Sequence, residues 1–130
     1  MRISFLEHIV LLFKAFLTAF RYPLATRIKT LLCPIESTRY LEFSYILKYL
    51  KSNRIHKKIA LDVSSPAMLD YLIEPHFDTI VKCNIDADES GYFSSNSKIA
   101  FTRQNGTQLG FQNNCYDAVL SVSVIEHIHE

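Results

Sequence analysis

Small polar side chains follow three short apolar segments, and each group has the chemistry to hold part of a nucleoside-like ligand. Asp62 lies near the end of the first segment and Ser64 and Ser65 follow it, Asp86 follows the second, and Asn105-Gly106 follows the third. A carboxylate accepts hydrogen bonds from ribose hydroxyls. An amide side chain can face a base, and glycine lets the backbone approach a ligand closely. Together the three groups predict a pocket for a nucleoside-type ligand.

The segments that must position these residues are predicted to be strands alternating with helices. Apolar runs at 58–63, 78–85, 99–101 and 117–123 have the length and bounds of buried strands. A helix is predicted from Ala67, with Pro66 at its first position, and its amino end is expected to offer backbone N–H groups to an anion. A second helix is predicted from Val124. This alternation is typical of an α/β fold with a parallel sheet, whose strands end along one edge.

The segment from Asn105 to Ile128 resembles the class I S-adenosylmethionine-dependent methyltransferases. The usual pattern there is an acid-Ala pair, Leu-Pro-Phe, a short polar loop, Phe-Asp, an apolar strand and a Glu-His helix. This sequence has Asn105-Gly106, then Leu109-Gly-Phe111, Tyr116-Asp117 and Glu126-His127. The resemblance covers about residues 58–130, and 105–128 is its most specific part. It departs from the family at position 105, where Asn replaces the acid, and at Gly110, which replaces Pro.

The resemblance implies S-adenosyl-L-methionine as the cofactor and a role for each polar group. Asp62, Ser64 and Ser65 would lie near the methionine moiety, in a loop that is glycine-rich in the family but contains no glycine here. Asp86 would bind the ribose, with Asn84 or Asp88 as alternatives. The remaining cofactor-binding residues implied are Asn105 and Gly106 at the adenine, and Ser121 and Ser123 at the end of the fourth strand.

The implied reaction is methyl transfer to an acceptor that the sequence does not identify, whether a small molecule, a glycan or a lipid. Displacement at a sulfonium depends mainly on positioning, so no catalytic residue is assigned. Glu126 and His127 are the nearby acid–base candidates, although such a pair at a helix start is more often structural. His127 and His129 are two residues apart, which points their rings away from each other on a helix, and no metal site is predicted.

The resemblance also implies an incomplete Rossmann-like sheet of about four strands in the order 3-2-1-4. The family fold has seven strands, and this sequence ends just after the fourth. We therefore expect an amino-terminal piece of a methyltransferase, from a truncated gene or a cut protein, that is inactive alone. The alternative is a non-catalytic nucleoside-binding or remnant domain whose amino-terminal arm binds a partner or a membrane.

Residues 1–57 form the predicted helical arm and 58–130 the methyltransferase half. Residues 1–58 hold eleven basic and three acidic side chains, whereas the rest of the chain has a net charge of −7. Residues 3–20 predict a helix with a wide apolar face, and Pro23 and Pro34 predict breaks. A third helix is predicted after a cap at Ser37 or Thr38. The apolar face of 3–20 is expected to dock on the protein, with peripheral contact at a membrane interface as the alternative.

Composition narrows the classes of protein further. The chain has 130 residues, 48% of them hydrophobic, and only three glycines, which excludes disordered and collagen-like sequences. Cys33, Cys83 and Cys115 form no CxxC pair, so a disulfide framework is not expected and the cytoplasm is the expected compartment. A nucleic-acid-binding arm would be richer in Lys and Arg and poorer in Leu and Phe, so no nucleic acid is expected. The oligomeric state is not predicted.

Overall fold

The structure, a computed structural model, describes residues 4–32, 37–53 and 57–122. It divides the chain into two compact units, residues 1–55 and 56–130. The division falls two residues before the boundary expected from the sequence. Each unit is described by itself.

The first unit is helical. It contains α1 (Phe5–Ala19), α2 (Leu24–Leu32) and α3 (Ser37–Ser52). The break predicted at Pro23 separates α1 from α2, whereas the break at Pro34 lies outside the described residues. Because α3 begins at Ser37, the two residues expected to cap this helix lie inside it. No helix in the described part of the chain is long and apolar enough to cross a membrane.

A capping box fixes the start of α1. The Ser4 hydroxyl accepts a hydrogen bond from the Glu7 N–H at 3.2 Å, and a Glu7 carboxylate oxygen accepts one from the Ser4 N–H at 2.8 Å. These bonds satisfy two of the donors that a helix start leaves unpaired. The Lys48 ammonium of α3 lies 3.3 Å from the other Glu7 oxygen. The hydrogen bond from Ser4, followed by the nearby Lys48, lowers the pKa of Glu7.

The helix α1 packs through a narrow face of one leucine and two alanines. Leu11, Ala15 and Ala19 recur at helical spacing and are at most 3% exposed. Tyr40 of α3 donates its hydroxyl to the His8 carbonyl, and the two rings lie 4.3 Å apart. The wide apolar face expected to dock on the protein is exposed instead.

The second unit is a four-stranded parallel sheet with α/β connections, which confirms the predicted fold class. Its strands lie in the order β3-β2-β1-β4, as predicted. The elements are β1 (Lys57–Val63), α4 (Ala67–Ile73), β2 (Phe77–Asn84), β3 (Ile99–Arg103) and β4 (Ala118–Leu120), with 3-10 turns at Glu74–His76 and Ala87–Tyr92.

The two faces of this sheet are covered differently. Leu61, Val63 and Cys83 form a core cluster on one face, against which Phe111 and Tyr116 pack from the connection between β3 and β4. On the other face lies α4, all of whose residues are buried. Because side chains alternate along a strand, this second face carries Asp62 of β1 and its register partner Lys82 of β2.

Two elements differ from the sequence expectation. Pro66 precedes α4 as its N-cap residue, so it is not the first helical residue. Of the residues predicted as a strand at 117–123, β4 covers Ala118–Leu120, and beyond it the Val122 N–H donates to the Ser65 hydroxyl at 2.9 Å. Residue 123 lies outside the described residues. The helix predicted from Val124 lies outside the described residues.

Candidate functional site

The carboxyl ends of all four strands lie at one edge of the sheet, because every strand pair is parallel. In the order 3-2-1-4, β2 and β3 are added on one side of β1 and β4 is added on the other side, so the strand order reverses between β1 and β4. In open α/β sheets ligands bind outside the strand ends at such a switch point. The candidate site is therefore the edge formed by the residues that follow Val63, Asn84, Arg103 and Leu120.

Backbone hydrogen bonds connect the strand ends along this edge. The Ser64 N–H donates to the Cys83 carbonyl at 2.8 Å, which joins the ends of β1 and β2. The Gln104 N–H donates to the Asn84 carbonyl at 3.0 Å, which joins β2 to β3. Together with the hydrogen bond from the Val122 N–H to the Ser65 hydroxyl, these bonds connect the carboxyl ends of all four strands.

Ser64 has a left-handed backbone conformation. Its φ is 57°, a value that glycine adopts readily and other residues adopt seldom. Its hydroxyl lies 3.3 Å from the Cys83 carbonyl and 3.4 Å from the Asn84 side-chain oxygen. The turn after β1 thus takes the form that a glycine would allow, although the residue is serine.

Asp62 and Ser65 are fully buried, so the structure places these two predicted ligand residues beneath the edge. The Ser65 hydroxyl is bonded to Val122. Asp62 lies 2.5 Å from the Lys82 ammonium, which also donates to the Ser65 carbonyl. Both residues therefore contribute to the site by fixing the turn that follows β1.

Lys82 is shared by two buried carboxylates. Asp70 of α4 lies 3.1 Å from the Lys82 ammonium, and all three side chains of this buried triad, Asp62, Lys82 and Asp70, are inaccessible to solvent. Burial raises the pKa of Asp70 well above its usual value, and the Asp62 charge adds to the effect. Burial alone would lower the pKa of Lys82, but Asp70 and Asp62 outweigh it and raise that pKa. The triad holds α4 to the sheet directly under the candidate site.

Asp86 is exposed at the end of β2. One of its carboxylate oxygens accepts from the Asp88 N–H at 3.0 Å and so caps the short turn at 87–92. Asn84, an alternative ribose ligand, is half-buried, and its amide donates to Glu89 at 2.7 Å. Of the three residues considered for the ribose, Asp86 and Asp88 therefore present exposed carboxylates.

Asn105 and Gly106 begin the connection that returns from β3 toward β4. The Asn105 side-chain oxygen accepts from the Thr107 N–H at 3.0 Å and from the Thr107 hydroxyl at 2.9 Å, which shapes a tight turn. A β-carbon on Gly106 would lie 3.4 Å from a methyl group of Val63. This approach brings the residues after β3 beside the end of β1.

The remaining predicted residues differ in how they are placed. Ser121 is exposed beyond β4, at the switch point. Ser123, Glu126 and His127 lie outside the described residues. The anion site expected at the start of α4 is not open to solvent, since Ala67 and Met68 are each 6% exposed.

Three residues that matter here were not identified from the sequence. Lys82 interrupts the apolar part of β2, and this is the one sequence signal that could have identified it. Asp70, by contrast, resembles any acid in the first turn of a helix. Asp117 is the third, because one of its oxygens accepts from the N–H groups of Lys58 and Ile59, both at 2.9 Å. That contact ties the residue preceding β4 to the start of β1.

Among the residues that the structure describes, no group of three or more His, Cys, Asp or Glu side chains could hold a metal ion. No family model, no curated protein and no solved structure matches the chain.

Proposed function

We propose that the second unit binds S-adenosyl-L-methionine at the carboxyl edge of its sheet and that the protein is a methyltransferase dependent on this cofactor. The observation that carries the proposal is the left-handed turn at Ser64, at the switch point of a 3-2-1-4 sheet. A serine adopts φ of 57° only when its surroundings demand it, and such strained turns cluster at ligand sites.

The residues at this edge would contact the cofactor in three places. The turn at Ser64 would approach the methionine moiety, and the exposed carboxylate of Asp86 would accept from the ribose hydroxyls. Asn105 and Gly106 would border the adenine, in a turn so close to the end of β1 that a β-carbon on Gly106 would lie 3.4 Å from a Val63 methyl group. Ser121 would complete the wall beyond β4.

The bound cofactor would supply a methyl group on a positively charged sulfur. The protein's part would be to hold that sulfur in line with the acceptor, because such a displacement depends on positioning more than on proton transfer. The buried triad would contribute by keeping the turn after β1 rigid, since Lys82 bonds to the Ser65 carbonyl. The acceptor would be a small molecule, a glycan or a lipid.

Calorimetric titration with S-adenosylhomocysteine tests the cofactor site. We expect about micromolar affinity for the wild type. Asp86→Ala should weaken binding about 10- to 100-fold, because a hydrogen bond to a charged group contributes about 1.5–3 kcal/mol. Asp78→Ala is the matched control, since Asp78 is an exposed acid at the opposite end of β2 and should leave the affinity unchanged.

Asp88→Ala decides between the two exposed carboxylates. Weakening by Asp88→Ala alone would move the ribose contact by two residues and keep the proposal. No binding at millimolar ligand by a chain with native circular dichroism would overturn it. Equal weakening by Asp78→Ala would also overturn it, because the effect would then follow net charge.

A further inference from the structure

The outward face of α1 is a continuous apolar surface in the first unit. Every large apolar side chain of this surface is at least 43% exposed, and Phe5 reaches 82%. Its members are Phe5, Leu6, Ile9, Val10, Leu12, Phe13, Phe16, Leu17 and Phe20. Scattered exposed apolar residues are normal, but a contiguous patch on this scale marks an interaction site.

The buried face of α1 carries fewer and shorter side chains than its exposed face. Leu11, Ala15 and Ala19 are buried, whereas the four phenylalanines of the surface face solvent. At 100° per residue the exposed apolar residues cover an arc of about 160°. This arc is wider than the stripe of about 100° through which a surface helix usually packs on a protein core. Within this arc Phe16 and Phe20 contact each other edge to face, with ring centroids 5.5 Å apart.

Basic residues border this surface. Lys14 and Arg21 lie at one flank of the arc, next to Val10 and Leu17, and both are exposed. The acid nearest to this flank, Glu7, is paired with Lys48. Residues 1–55 carry nine basic and three acidic side chains, so the unit that bears the surface has a net charge of +6.

We propose that the outward face of α1 binds the surface of a lipid bilayer that contains anionic lipids. An amphipathic helix that lies in the interface buries its apolar face at the acyl boundary and places its cations at the headgroups. Lys14 and Arg21 stand where they would reach those headgroups, and anionic lipid attracts each of them. An antiparallel second copy of this chain is a poorer occupant, because pairing the two faces in that way would place the flanking cations of both copies on the same side.

Flotation of the full chain with lipid vesicles tests the proposal. The probes are vesicles of phosphatidylcholine alone and vesicles in which about 30% of the lipid is phosphatidylserine. We expect binding to the anionic vesicles, at least tenfold weaker binding to the neutral ones, and loss of most binding at 1 M salt, where the Debye length is about 3 Å.

Two double variants separate the apolar from the electrostatic contribution. Phe13→Ser with Phe16→Ser should weaken binding at least tenfold, because it removes apolar area from the interface. Lys14→Gln with Arg21→Gln should weaken binding to anionic vesicles about tenfold or more, since each cation near the surface contributes about fivefold. Ile85→Ser is the matched control, because Ile85 is 59% exposed in the second unit and should not affect flotation.

Three results would overturn the proposal. The first is no flotation of the wild type with either vesicle. The second is binding that the Phe13 and Phe16 substitutions leave unchanged. The third is a concentration-dependent dimer that these substitutions dissociate, with no vesicle binding, which would assign the surface to a second copy. All substituted side chains are exposed, so we expect native circular dichroism for every variant.

Discussion

The ammonium of Lys82 lies 2.5 Å from a carboxylate oxygen of Asp62, and neither side chain is accessible to solvent. This pair joins the two central strands of the sheet, and Asp62 lies two residues before Ser64 at the candidate site. Asp70 shares the same ammonium from α4. One cation thus compensates two buried acids.

Removing that cation should destabilise the second unit strongly. Lys82→Met leaves Asp62 and Asp70 buried without a cation, so we expect a loss of about 3–5 kcal/mol in the free energy of unfolding, measured in urea. Lys98→Met is the control, because Lys98 is exposed and its ammonium donates to the carbonyl of Phe77 at 3.0 Å. A loss below about 1 kcal/mol for Lys82→Met would contradict the role of the triad.

The raised pKa of Asp70 predicts a specific dependence of stability on pH. Between its ordinary value of 3.8 and its raised folded value, the folded state binds more protons than the unfolded state. The contribution of Asp70 therefore falls as pH rises through this window, by at most about 1.4 kcal/mol per pH unit.

Asp70→Asn isolates this contribution. The variant should be more stable than the wild type at pH 7, and the difference should shrink as the pH is lowered toward 3.8. Urea unfolding at a series of pH values measures it. A difference that stays constant across the series would show that Asp70 does not titrate in this window.

The left-handed turn at Ser64 predicts different changes in stability for two substitutions. Ser64→Gly removes the strain of a positive φ at the cost of more freedom in the unfolded chain, so stability should change by less than about 1 kcal/mol. Ser64→Val places a β-branched side chain at φ of 57° and should cost about 1–3 kcal/mol. Thermal unfolding compares them, and equal losses would argue against a left-handed turn.

Asp117 should stabilise the sheet through the two backbone N–H groups that it accepts. We expect Asp117→Ala to cost about 1–2 kcal/mol, because both hydrogen bonds involve a charged acceptor near solvent. Asp117→Asn keeps an acceptor oxygen and should cost less than half as much. If the two variants unfold at the same temperature, the contacts to Lys58 and Ile59 contribute nothing.

The fold class could be predicted from the sequence pattern and the strand order from the family resemblance, whereas several contacts at the site could not be predicted. The apolar runs around Ala60 and Ile80 mark buried strands because they are short, mostly apolar and followed by polar residues. The contact just beyond β4 joins the Ser65 hydroxyl to the Val122 N–H, and these residues are 57 positions apart. No local pattern reports such a bond.

The burial of the charged side chains of Lys82, Asp62 and Asp70 could not be predicted from the sequence either. Lys82 interrupts an apolar strand, but its partners lie 20 and 12 residues earlier in the chain and meet it only in the folded sheet. For α1 the periodicity identified the apolar arc correctly. It did not reveal that Ala15 and Ala19 form the packing face, since small residues allow close approach without adding to a hydrophobic pattern.

The most direct test of the cofactor site is to map ligand contacts on the backbone amides by NMR during titration with S-adenosylhomocysteine. We expect the largest chemical-shift changes at Ser64, Asp86 and Gly106, at the carboxyl edge of the sheet. Amides at the opposite edge, such as those of Lys58 and Asp78, should remain unchanged. Shifts confined to that opposite edge, or none at millimolar ligand, would contradict the account.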